Sequence, residues 1–325
     1  MKAAFIINAR NKAKYVARAV LGAFSQSYPC HILLSDQDST DGTYEEMAKA
    51  MAGTTMPMER VAEPPALDIV LDREVKEVPR HKAELLRCPI KGKYGMVAAN
   101  AHTMWLAEQT DAEWIFQCSA DDYSLPDRVR VCMEAVQKHE CAAIATTMYF
   151  VEPGGEDKVG PMTPRSGYPT ESGYVSAGTG LWKMAYGSTI QGWRRDFLLK
   201  VGSAGHVTGD VYHGFLAALD KGYYVVASPQ HVHVQHSDLE NMGFQGKMRA
   251  AAATGDHELM TRINELNRFQ LFGLYLNIKL RQQQLYPLAH QEDQNALIRM
   301  LLEQSAGWFQ EREKLHANGW TPGLL

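Results

Sequence analysis

Two acidic turns hold the residues whose types and spacing could do chemistry. Asp36-Gln37-Asp38 follows the apolar run His31-Ile32-Leu33-Leu34-Ser35, and Asp121-Asp122 follows the apolar run Glu113–Cys118. Adjacent carboxylates repel each other. A divalent cation bound through oxygen relieves that repulsion and bridges to phosphate oxygens. The plain alternative for Asp121-Asp122 is a solvated turn or a helix N-cap ahead of Pro126. Three histidines, His231, His233 and His236, cluster near one apolar segment. On a strand, His231 and His233 would share one face and His236 the other, a zinc half-site that needs a further ligand. A polar strand end accounts for them equally. Lys91, Lys93, Lys247 and Arg249 have the charge to close over a diphosphate, as any solvated loop does. Asp210, after Thr208-Gly209, suits either a helix N-cap or a general base.

These residues need elements to hold them. Residues 3–7 read as a buried strand, 12–27 as a helix, 31–35 as a second strand, and Thr43 onward as a helix to about Ala50. This β–α–β–α order predicts a parallel sheet. Residues 51–92 are punctuated by proline and predict loop, with a strand or hairpin around Ile69–Leu71. Helices are expected over 96–109 and 127–138, with strands over 113–118 and 142–149. Residues 152–180 read as a long loop, 193–201 and 210–221 as helices, and Tyr223–Ala227 as a strand. Two further helices are expected over 256–285 and 291–315. In such a sheet, ligands bind at the carboxyl ends of the strands, where both acidic turns fall.

Composition narrows the class. The chain has 325 residues, 45% hydrophobic and 22% charged, with a formal net charge of −4. That describes a folded protein of one large or two smaller domains and lowers the case for bulk nucleic-acid binding. The five cysteines are irregularly spaced with no CxxC, which points to a reducing compartment rather than a disulfide framework. Neither a signal peptide core nor an apolar run of about 18 residues is found, so the expectation is a cytoplasmic protein with no membrane span. A GxGxxG turn, a GxxxxGK[ST] loop and a GxSxG elbow are all missing, which sets aside dinucleotide, P-loop and α/β-hydrolase chemistry.

Three segments together resemble the family 2 glycosyltransferases of GT-A fold. The first is AAFIINARNKAKYVARAVLGAFSQSYPCHILLSDQDSTDGT, the second EWIFQCSADDYSLPDRV, and the third GSTIQGWRRDFLLKVG with TGDVYHGFLAALDKGYYVV. They span residues 3 to 227. The resemblance implies an α/β, Rossmann-type, mostly parallel sheet flanked by helices. It places a catalytic domain at 1–240 and a C-terminal helical region at 241–325 that packs on it or mediates homo-oligomers.

It also implies an inverting enzyme that uses a nucleotide-diphosphate sugar, most simply a UDP-sugar, with Mn²⁺ or Mg²⁺. By the resemblance Asp36, Asn8 and Arg10 would line the nucleotide-base pocket, with Asp38 beside them. Asp121 would contact ribose or metal, and Asp122 would coordinate the cation. Lys93 would reach the diphosphate, His236 would be a further metal or diphosphate contact, and Asp210 would be the base. Ser119 stands where the family often has a first Asp, and Gly209 where it often has Glu. The acceptor is left open among glycan, small molecule, protein and modified nucleobase. A sugar-phosphate nucleotidyltransferase would need a Gly-rich basic loop after the first strand, and NARNKAK has no glycine. A non-catalytic nucleotide-sugar or glycan-binding module is the other alternative.

Overall fold

The computed structural model of the chain describes residues 1–53, 81–90, 96–151, 170–175, 190–203, 209–234, 251, 253–261, 278 and 280–286. Among them, nine strands form one sheet. In chain order these are β1 (Ala3–Ala9), β2 (Cys30–Asp36), β3 (Lys82–Arg87), β4 (Trp114–Ser119), β5 (Tyr123–Ser124), β6 (Ala143–Val151), β7 (Gly173–Val175), β8 (Gln191–Arg194) and β9 (Tyr223–Val234). The strand order is β3-β2-β1-β4-β8-β6-β9-β5, with β7 also on β9. β1 pairs in parallel with both β2 and β4, β2 with β3, and β6 with β9. β8 runs antiparallel between β4 and β6, and β5 and β7 run antiparallel to β9. The expected α/β sheet is present and is mixed: six of the nine strands run in one direction, and the pairings divide into four parallel and four antiparallel.

The continuous apolar run of β1 has its reason in two cores. Ala4 and Ile6 enter one, while Phe5, Ile7 and Ala9 enter the other. A strand covered on both faces needs no polar alternation. α1 (Val16–Phe24) presents Val16, Ala19, Val20 and Ala23, one helical stripe, to the second core. α2 (Thr43–Gly53) adds Met47 there, and α4 (Arg128–Val136) adds Val129, Cys132 and Met133. The opposite core receives Leu106 and Ala107 from α3 (Met96–Glu108). It also receives Phe197, Leu198 and Val201 from α5 (Arg195–Val201), and Tyr212, Phe215 and Leu216 from α6 (Gly209–Leu219). The result is three layers, helix on sheet on helix.

The structure departs from the sequence reading in several places. The strand after α2 is β3 at Lys82–Arg87, whereas Ile69–Leu71 lies outside the described residues. β3 is the half-buried edge of the sheet, so its charged ends obscure it. The expected helix over 193–201 begins only at Arg195, because Gln191–Arg194 is a strand. Trp193 is buried by sheet pairing, not by a helical stripe. Likewise the strand at Tyr223 continues to Val234. Pro229 hides this, and it is tolerated because the β6 register shifts beside it. The segment 152–180, read as loop, contains β7.

Residues near 278–286 rest on the same body. Ile278 is buried in the first core, Leu285 and Tyr286 pack against it, and the Tyr286 hydroxyl donates to Asp220 at 3.0 Å. Of the expected 256–285 helix, 257–261, 278 and 280–285 are helical, while 262–277, 279 and all of 291–315 lie outside the described residues. Among the described residues no helix is long and apolar enough to cross a membrane.

Candidate functional site

The register of the parallel strands puts the interesting turns side by side. Asn8 of β1 lies opposite Ser35 of β2 and Ser119 of β4, and Ala9 lies opposite Asp36. The turns after β1 and β2 are then joined by side chains. The amide of Asn11 donates to Ser39 Oγ at 2.9 Å, and the amide of Thr40 donates to Asn11 Oδ1 at 3.0 Å. The amide of Lys12 donates to Thr43 Oγ1 at 2.7 Å, and that of Ala13 to Asp41 Oδ2 at 3.0 Å. Asn11 and Asp38 take left-handed φ values of 51° and 54°, which short polar side chains tolerate.

Asp36 ends β2 with 1% exposure. Its Oδ2 accepts the Ser39 amide at 3.2 Å, while its buried Oδ1 has no partner. Beside it Gln37 donates from Nε2 to the Ile90 carbonyl at 3.1 Å and leaves Oε1 buried without a partner. An unsatisfied buried acceptor costs about 1–3 kcal/mol, more for a charged group, so these two adjacent oxygens could each take a donor from a water or a ligand. The neighbouring candidates differ. Asp38 is exposed at the left-handed turn. Arg10 is half-buried just past β1. The Asn8 side chain turns toward the protein, donating to the Ala99 carbonyl and to Thr103 Oγ1 and accepting from Gln117 Nε2 at 3.2 Å.

The second acidic turn separates its two carboxylates. Asp122 is 1% exposed and is surrounded by donors. Its Oδ1 accepts the Val234 amide at 3.0 Å, His233 Nδ1 lies 3.1 Å from Oδ1, and His231 Nε2 lies 3.4 Å from Oδ2. Burial alone would raise the Asp122 carboxyl. Attraction to His233 and the two histidine hydrogen bonds overcome it and hold the group well below the usual carboxylate range. Burial pushes the His231 ring down to about 4, so it is neutral at pH 7. Arg128 Nη1 donates to Ser124 Oγ at 2.8 Å, and Ser124 Oγ lies 3.2 Å from His231 Nδ1. This chain assigns the tautomer: the hydroxyl gives its hydrogen to Nδ1, and Nε2–H points to Asp122. The N-cap alternative falls away, since α4 is capped at Asp127 and Asp122 is spent on β9.

Asp121 is different. Its side chain is 20% exposed, and its Oδ2 lies 2.6 Å from Lys12 Nζ. That ion pair ties the turn after β4 to the turn after β1.

The other expected residues are placed only in part. Asp210 stands in the first turn of α6, with its side chain outside the described residues. Lys93, His236, Lys91, Lys247 and Arg249 lie outside them altogether. His231 and His233 do share one face of a strand, and the carboxylate they meet there is Asp122. Among the described residues, no group of three or more His, Cys, Asp or Glu is arranged to hold a metal.

Residues that the sequence reading passed over include Lys12, Ser124, Arg128 and Gln26. Gln26 is fully buried. It donates to the Gly22 and Leu125 carbonyls, each at 2.8 Å, and accepts the Val129 amide at 3.0 Å. It thereby fixes the end of α1 against the start of α4. Gln26 lies two residues past the end of α1 and Arg128 is the first residue of α4, positions that read as ordinary helix-end polarity.

Solved structures share this architecture. TarS 1-349 from S. aureus in complex with UDP-GlcNAc is 13% identical, matches 92% of this chain and 79% of its own, and gives a TM-score of 0.53. The complex of the same protein with UDP is 14% identical over 93% and 82%, with a TM-score of 0.50. The fold is that of the GT-A glycosyltransferases. A mannosyltransferase, PcManGT from Pyrobaculum calidifontis in complex with GDP-Man and Mn²⁺, is 11% identical over 94% and 80%, with a TM-score of 0.47. No family model and no curated protein matches the chain. In GT-A terms, both acidic turns sit at the carboxyl edge of β1, β2 and β4.

Proposed function

We propose that the chain is a glycosyltransferase that takes a nucleotide-diphosphate sugar at this edge and passes the sugar to an acceptor hydroxyl. The observation that carries the reading is the buried, unpartnered Oδ1 of Asp36, which waits for a donor such as the ring N–H of uracil. UDP is the favoured nucleotide, because a protein of the same fold is known in complex with UDP and UDP-GlcNAc. Base and diphosphate sites lie on either side of β1. They are two strand spacings apart, about 10 Å, a span that a nucleoside diphosphate bridges.

Among the described residues no three metal-ligating side chains converge, so a divalent cation would rest on one of the two carboxylates and on the diphosphate. Asp122 is saturated by three donors, whereas Asp121 keeps an exposed face, so Asp121 would hold Mn²⁺ or Mg²⁺. Bound there, the cation would neutralise charge on the departing diphosphate. Asp210 would take the proton of the acceptor hydroxyl, and attack opposite the leaving group would invert the anomeric centre. Lys93 and His236 remain candidate diphosphate contacts, Arg10 remains a candidate for the base pocket, and Asn8 supports that pocket from behind.

The test is thermal unfolding with UDP, UDP-GlcNAc and GDP-mannose, each with and without Mn²⁺. A ligand bound only by the folded chain raises Tm. The expected result is a shift with a UDP ligand that Asp36→Ala abolishes. An equal shift in that variant would overturn the base-pocket assignment.

A further inference from the structure

We propose that Lys12 is a resident cation of the diphosphate site, neutralising Asp121 in the free protein and turning to the diphosphate when a nucleotide binds. The inference rests on the donor-site reading above and adds a cation that the protein itself supplies.

Lys12 is built to do this. Its amide donates to Thr43 Oγ1 at 2.7 Å, and its carbonyl accepts the amides of Tyr15 and Val16, both at 2.9 Å. The backbone is therefore pinned at the head of α1, and only the flexible stem and ammonium can move. The side chain is 17% exposed, so the ammonium keeps some access to solvent but is largely shielded from bulk screening. Its partner is equally well held, since Asp121 is followed by the buried anchor Asp122.

The chemistry requires a cation here. A diphosphate approaching Asp121 with nothing positive between them meets like charge. Among the described residues, no three metal-ligating side chains converge, so a divalent cation at Asp121 would depend heavily on the diphosphate for its other ligands. An ammonium with three donors can face a carboxylate and phosphate oxygens together. Lys12 therefore competes with the divalent cation for Asp121 and partly stands in for it, and nucleotide binding persists when the metal is removed.

The experiment is calorimetric titration of the full chain with UDP and with GDP, in EDTA and in excess Mn²⁺. It compares wild type, Lys12→Met, which keeps the apolar stem, and Lys12→Arg, which keeps the charge. Wild type should bind in EDTA within about tenfold of its Mn²⁺ affinity. Lys12→Met should lose about tenfold or more in EDTA but far less in Mn²⁺, and Lys12→Arg should recover most of the loss. Binding by wild type only in Mn²⁺, or equal affinities of wild type and Lys12→Met in EDTA, would overturn the role of Lys12 while leaving the donor site intact. No binding of either nucleotide in either buffer would overturn the donor-site reading and this inference with it.

Discussion

A Cβ placed on Gly22 would lie 2.9 Å from the carbonyl oxygen of Ser124 and 3.0 Å from its amide nitrogen. α1 thus rests directly on the backbone of β5, the two-residue strand that begins immediately after Asp122. Neither partner can yield cheaply, because both contacts are main chain. The acidic turn is positioned from below by an absent side chain.

Gly22→Ala should therefore push β5 and the acidic turn outward. We expect a stability loss of about 1–3 kcal/mol by urea denaturation, despite the better helix propensity of alanine. UDP binding should weaken in parallel. Unchanged stability would mean that α1 can shift without resistance.

The two neighbouring aspartates should separate by experiment. Asp122→Asn leaves the donors of β9 facing an amide with a single acceptor oxygen, and an unsatisfied buried donor costs about 1–3 kcal/mol. Asp121→Asn removes one ion pair and leaves the β9 donors in place, so it should destabilise less than Asp122→Asn while Mn²⁺-dependent nucleotide binding falls. Denaturant midpoints and Mn²⁺ titrations check both. Equal destabilisation by the two would contradict the division drawn here.

Asp210→Asn should leave nucleotide binding intact and reduce sugar transfer by about 100-fold or more, the usual scale for losing a general base. Single-turnover assays with radiolabelled donor, once an acceptor is found, read the chemical step. Near wild-type transfer would assign the base elsewhere.

Acid should weaken the fold through His102. This ring is 1% exposed, with Nε2 2.7 Å from Ser35 Oγ, and burial pushes it down to about 4. An unfolded histidine takes its proton near 6.5. Between those values the unfolded chain binds the extra proton, so stability falls as pH drops from about 6.5 to about 4, by about 3 kcal/mol in full. Tm measured across that window should decline less steeply in His102→Gln.

Much of this architecture was legible because β1, β2, β4 and β6 are continuous apolar runs that end in turn residues. Sheet centres write themselves into sequence that way. β3 and β8 were not legible, one being a half-charged edge and the other a short strand whose Trp193 mimics a helical position. β9 was read only over Tyr223–Ala227, because Pro229, which a register shift accommodates, interrupts the pattern. At the site, residue types suggested two acidic turns, and these do meet at one edge. Which carboxylate is buried was not legible, because Asp121 and Asp122 are chemically alike. The difference comes from His231, His233 and the Val234 amide, more than a hundred residues away in sequence.

The turns after β1 and β2 are fastened largely by the side chains of Asn11, Ser39, Asp41 and Thr43. Each fastening is one codon, and none belongs to the strands that hold the sheet together. Ligand preference at these turns can therefore drift or be engineered by point substitution while folding proceeds unchanged. A library randomised at these four positions would explore nucleotide choice without having to rescue the scaffold.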